Sequence, residues 1–199
     1  MTASVNTGMS VSLTKGQNVS LSKLSDKPLT KLLVNLLWKA RETQGTDFDL
    51  DASVFVLNDK DEVQDVRDFI YYRNTASVNG AVLHQGDNRI GGGEEVHLDI
   101  SLLPDYAQKV VFVVTIDEAL QRNQSFGQVD GAAIALVDNG TDVGKQLCHF
   151  DLTEDASAET AMLFAELYRK NDGWSFRAVG QGHKEGLAAF VRKYGLNPT

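Results

Sequence analysis

Apolar and polar residues alternate along much of this 199-residue chain, with the period of two that a half-buried strand requires. The clearest run is 48–57, where Phe48, Leu50, Ala52, Val54 and Val56 fall on one face. Leu32, Val34, Leu36 and Trp38 repeat the pattern and predict a strand over 29–38. Val11, Leu13, Val19 and Leu21, parted by Lys15-Gly16-Gln17-Asn18, predict a hairpin of short strands over 11–23. Further strands are predicted over 66–72, 81–84, 96–100, 110–116, 132–136, 147–152 and 174–179, with turn chemistry at 58–61 and Asn79-Gly80. Two segments carry a helical period instead. Over 158–170, Ala161, Met162, Phe164, Ala165, Leu167 and Tyr168 form a stripe, with Asp155 or Ser157 as its cap. Over 184–194, Leu187, Phe190, Val191 and Tyr194 repeat at i, i+3, i+4 and i+7, and Gly195 stands where a C′ glycine belongs. Strands at this spacing predict a mainly β chain: a two-sheet β-sandwich with a few peripheral helices, two of them near the C-terminus. Residues 1–8, small and polar, read as a flexible tail, and 9–199 as a single domain.

Charge narrows the classes of partner. The chain has 19 Lys+Arg against 27 Asp+Glu, a formal charge of −8, which argues against nucleic acid or an anionic membrane and favours cations. The longest apolar stretch, around 110–116, is too short to insert across a bilayer. A lone cysteine, Cys148, cannot form an internal disulfide, so a disulfide-stapled secreted domain is excluded. The first residues show neither a basic n-region nor an apolar h-region, and the expected location is the cytoplasm.

The segment Asp47-Phe48-Asp49-Leu50-Asp51 gives the alternation a chemical use. With Phe48 and Leu50 turned inward, Asp47, Asp49 and Asp51 share the other face, their neighbours about 6.6–7 Å apart. Like charges so spaced repel, and a hard divalent cation relieves the repulsion. Calcium takes 6–8 oxygens, more than one strand can bring to one ion, so a second segment must contribute. Residues 85–95 offer Asp87, Asn88, glycine carbonyls, Glu94 and Glu95. Alternation alone is equally met by a solvated strand face. An EF-hand is excluded: counting from Asp47, position 6 is Ala52 and position 12 is Asn58.

From residue 11 to 190 the chain resembles the TerD-type tellurium-resistance and stress proteins. The matching pieces are Val11-Ser-Leu-Thr-Lys-Gly16, Phe48-Asp-Leu-Asp-Ala-Ser53, Gly86-Asp-Asn88, Phe126-Gly-Gln-Val129, the stretch 159–169 and Phe176-Arg-Ala-Val-Gly-Gln-Gly182. The resemblance implies a β-sandwich, a cytoplasmic location, calcium bound at one or two sites and no established catalysis. Carried over by motif, Asp49, Asp51, Asp87 and Asn88 are the core ligands, with Asp47, Glu94 and Glu95 as supplements. Two departures are present. Lys39 stands where the family commonly has an Asp after its Trp, and the loop runs on as the short Ile90-Gly-Gly-Gly-Glu-Glu95. A lysine beside the site would repel calcium. These departures motivate an alternative, a metal-independent interaction module with an unknown protein partner. A metal-dependent hydrolase using the same acids is a third reading. His84 and His97 flank the acidic loop and read as strand residues bonded locally, and Cys148 reads as a buried, inert thiol.

Overall fold

Two six-stranded sheets face each other across a core built from the alternating residues. The computed structural model describes residues 10–40, 48–86, 92–140, 144–152, 158–171 and 173–198. In chain order the strands are β1 (Val11–Leu13), β2 (Asn18–Ser20), β3 (Lys31–Ala40), β4 (Leu50–Leu57), β5 (Phe69–Ile70) and β6 (Val82–His84). They continue as β7 (Gly93–Asp99), β8 (Lys109–Ile116), β9 (Val129–Asp138), β10 (Lys145–Asp151), β11 (Ala161–Lys170) and β12 (Gly173–His183). The first sheet runs β1-β10-β9-β3-β7-β6 and the second β2-β12-β11-β8-β4-β5. Pairing is antiparallel throughout except between β1 and β10. The four outermost strands are two or three residues long, and the longest strands each have a neighbour on both sides.

The inner faces follow the pattern read from the sequence. Leu32, Val34, Leu36 and Trp38 of β3 pack with Leu50, Ala52, Val54 and Val56 of β4 in one core, and Phe48 lies against it. A second, smaller core forms on the outer face of the second sheet. There Phe55, Leu57, Val111, Val113 and Leu163 lie beneath Phe190 and Val191 of a C-terminal helix, α2 (Leu187–Lys193), and its C-cap Tyr194; α1, earlier in the chain, is the single turn Ala119–Arg122. Gly195, at φ +81°, closes α2 as expected.

Three expectations are corrected. Residues 161–170 are strand β11, not helix, so one helix rather than two lies near the C-terminus. β11 sits between β8 and β12 with the main core on one face and the smaller core on the other, and a strand buried on both faces loses its alternation. The caps assigned to it, Asp155 and Ser157, fall outside the described residues. β1 and β2 do not pair as a hairpin: β1 joins β10 in the first sheet and β2 joins β12 in the second, so the Lys15-Gly16 turn crosses between sheets. Residues 66–68 form a short 3-10 turn ahead of the two-residue β5, with Asp65 as its cap.

Candidate metal centre

One end of the sandwich gathers the start of β4, the end of β8, the end of β3 and the start of β7, because Leu50 pairs with Ile116 and Leu37 with Gly93. Leu50 and Ala52 turn into the core, as alternation requires. Asp51 is half-buried on the opposite face across from Thr115, and Asp49 precedes the strand. The acidic face is short: beyond Asp51, Ser53, Phe55 and Leu57 are buried on that same side. The backbone of Asp49 is held by β8's continuation, with the Asp117 N–H donating to its carbonyl at 2.8 Å. This brings Asp117 and Glu118, which the sequence reading passed over, to the same end, where both pair with Arg122. Asp47, Asp87 and Asn88 lie outside the described residues.

Glu94 and Glu95, adjacent in sequence, separate onto opposite faces of β7. Glu95 is exposed beside a cleft of about 540 Å³ lined by Asn35, Leu37, Gln85, Gly86 and the stretch 92–95. Asn35 is its cross-strand neighbour, and the buried Oδ1 of Asn35 has no hydrogen-bond partner among the described residues. Glu94 turns inward, its side chain 1% exposed, and reaches across to the second sheet. β5 covers β4 only at Val54 and Phe55, leaving the edge of β4 open at Ala52. The Ala52 N–H donates to Glu94 Oε2 at 2.7 Å, and His84 Nε2 donates to the same oxygen at 3.0 Å. His84 Nδ1 accepts the Gly86 N–H at 3.0 Å, which assigns the ring proton to Nε2. The other oxygen, Glu94 Oε1, is buried without a hydrogen-bond partner among the described residues. A buried polar atom left bare costs about 1–3 kcal/mol, and more when it is charged.

The two departures seen in the sequence have structural readings. Trp38 is buried in the core, so Lys39 faces outward, opposite Asp130 on β9, and away from the interior that holds the Glu94 carboxylate. The glycines of the short loop are needed for packing: a Cβ on Gly92 would lie 2.4 Å from the Trp38 carbonyl oxygen, and one on Gly93 2.4 Å from that of Leu36.

The donors suit a hard cation in kind but lie on two faces of the sheet: inward the Glu94 carboxylate with one oxygen bare and buried, outward Glu95 with the Asn35 amide oxygen. Among the described residues, no three His, Cys, Asp or Glu side chains come together as a metal cluster, so an ion here would also need ligands from 41–47 or 87–91. His84 was not legible as part of this arrangement, because Glu94 comes to it from β7 and, through that carboxylate, Ala52 from the other sheet. A polar residue at an inward position of a short apolar strand was the one available signal.

Residues 9–194 match the TerD domain family. The chain is 53% identical over 174 residues to the tellurium resistance protein TerD of Serratia marcescens, an alignment covering 84% of this chain and 88% of that protein. It is 42% identical over 172 residues to general stress protein 16U of Bacillus subtilis (strain 168), with the same shares covered. The crystal structure of a homologue of telluride resistance protein from Streptomyces coelicolor A3(2) superimposes with a TM-score of 0.64 at 19% identity, covering 86% of this chain and all of that one. That last likeness concerns the fold alone. Among the described residues, no helix is long and apolar enough to cross a membrane.

Proposed function

The chain belongs to the TerD family of tellurium-resistance and stress proteins, and from that premise we propose that it is a non-enzymatic, cytoplasmic, calcium-binding stress-response protein. The observation that carries the reading is the Glu94 carboxylate, buried with one oxygen bonded twice and the other bare. A cation is the partner that a bare, buried carboxylate oxygen calls for. Among the described residues Asp49, Asp51 and Glu94 do not come together as a cluster, so binding would have to draw them and Asp87 and Asn88 around the ion, with Asp47 as a supplement. Glu95, on the opposite face from Glu94, belongs with Asn35 at the outer cleft and would serve a second ion. When bound, calcium supplies positive charge that relieves the repulsion among these acids and ties the loop after β6 to the start of β4.

Thermal unfolding in EDTA, then in millimolar calcium or magnesium, tests this. Calcium at about 100 times its Kd contributes about 2.7 kcal/mol, and for a domain of this size that is a rise of about 5–10 °C in Tm. The double variant Asp49→Asn/Asp51→Asn is expected to lose the calcium response while its Tm in EDTA stays equal or rises. No shift with calcium, or an equal one with magnesium, overturns the reading.

A second reading, an interaction module that works without metal, is favoured by one separate observation. A groove of about 1250 Å³ opens at the same end of the sandwich, floored by Leu13, Phe126, Phe150 and Met162 and walled by the backbone of Gly180 and Gly182. An apolar floor with a polar rim suits a protein partner.

A further inference from the structure

The two ligand-bearing segments, far apart in sequence, meet at the Glu94 carboxylate, and one imidazole orients it. On one side the Gly86 N–H donates to His84 Nδ1, and Gly86 is the residue before Asp87. On the other, His84 Nε2 donates to Glu94 Oε2, which also accepts from Ala52, the residue after Asp51. The ring is nearly inaccessible, its side chain 1% exposed, and its strand is held by the His84 N–H bond to the Thr75 carbonyl at 2.8 Å. Gly86 sits at φ +98°, a left-handed conformation that aims its N–H at the ring and that a residue with a Cβ adopts only under strain. Each atom of the ring that can form a hydrogen bond is therefore used, one to hold the backbone of Gly86 and one to orient the carboxylate.

We infer that His84 is a positioning residue: a rigid two-ended spacer that holds the Gly86 backbone and the Glu94 carboxylate at a fixed separation, keeps Glu94 Oε2 on Ala52 and leaves Glu94 Oε1 free for the cation. The inference rests on the calcium reading and extends it. Cation affinity at this end and closure of the two sheets become one coupled property, since the oxygen opposite the ion is the one that holds Ala52 across the gap. The bonds needed are a donor and an acceptor at the two ends of a planar group. A glutamine amide supplies both groups and matches Nε2 in reach, so it can keep the bond to Glu94; an asparagine amide reaches only as far as Nδ1, and leucine supplies neither.

Calorimetric titration of calcium into the full chain and into His84→Leu, His84→Asn and His84→Gln is the test, with amide exchange of Ala52 and Gly86 followed in EDTA. Loss of such an orienting partner lowers metal affinity about 10–100-fold, which is the expectation for the Leu and Asn variants, with faster exchange at Ala52 in both, and at Gly86 in His84→Leu, before any ion is added. His84→Gln is expected to restore most of the affinity and the protection at Ala52. Affinity in His84→Asn equal to that of the unaltered chain, or unchanged exchange at Ala52 and Gly86, overturns the positioning role and leaves the calcium reading standing. Absence of calcium heat in the unaltered chain overturns the calcium reading itself. His84→Asn and His84→Gln keep the test decisive if the apolar variant does not fold.

Discussion

Gly93 is the residue whose replacement the fold resists most directly. Its missing side chain lets β7 lie against β3 so closely that a Cβ would meet the Leu36 carbonyl oxygen at 2.4 Å and the Leu37 backbone at 3.2 Å. Backbone cannot step aside as a flexible side chain can, so Gly93→Ala must part the two strands just where Glu94 leaves for the other sheet. The expected loss is about 1–3 kcal/mol, read as a lower urea midpoint with unchanged m-value. A midpoint equal to that of the unaltered chain would show that the strands stand further apart. Residue chemistry in this region was half legible in the sequence. Period-two alternation already put Leu50 and Ala52 inside and Asp51 outside, since it follows from strand geometry alone. The same rule separates Glu94 from Glu95. The bonds from Ala52 and His84 to Glu94 were hidden, because they depend on which strand edge another sheet leaves open.

At the scale of elements, β11 and α2 explain each other. α2 covers one face of β8, β11 and β4 with Phe190, Val191 and Tyr194, and this second cover turns 161–167 into an unbroken buried run. The helical period found there reflects apolar residues in nearly every position, which fit a helix stripe as readily as a doubly buried strand. The misread hairpin at 11–23 has a different cause: a good turn specifies a change of direction, not the sheet to which the following strand belongs. Phe190 is fully buried and makes an edge contact with His183, their ring centroids 4.6 Å apart. Burial beside this ring and the nearby Lys193 hold the His183 imidazole below its ordinary pKa. Phe190→Ala is expected to cost about 3–5 kcal/mol, measurable by chemical denaturation, with the smaller core opened to dye binding. A loss under 1 kcal/mol would mean that α2 packs without contributing to the domain's stability.

For the whole molecule, the sandwich is tied along its two sides by different means. On one side the chain crosses from β1 to β2, with the Gly16 N–H bound to the Ala178 carbonyl at 2.9 Å. On the other, Glu94 of the first sheet holds Ala52 of the second. Between them lies Cys148, fully buried in the main core, where burial pushes its thiol up to about 12. Its alkylation by iodoacetamide is therefore expected to require parting of the sheets, so that the native rate tracks global unfolding; a rate like that of a free thiol at neutral pH would contradict the packing. The sign of its pH effect follows. The unfolded thiol ionises near pH 9 and the folded one only near 12, so this group lends no pH dependence below 9 and withdraws stability as pH rises from 9 to 12.

The brevity of the four outermost strands carries a consequence for how copies of this chain meet one another. Among the described residues the outermost strands are two or three residues long, β3, β8, β9 and β11 have a neighbour on each side, and where β5 leaves β4 open the Ala52 N–H is taken by Glu94. Fibre growth needs a long, flat template to extend, and none of these outermost strands is long enough to serve as one. Eight net negative charges add repulsion between copies, so both features work against edge-to-edge association.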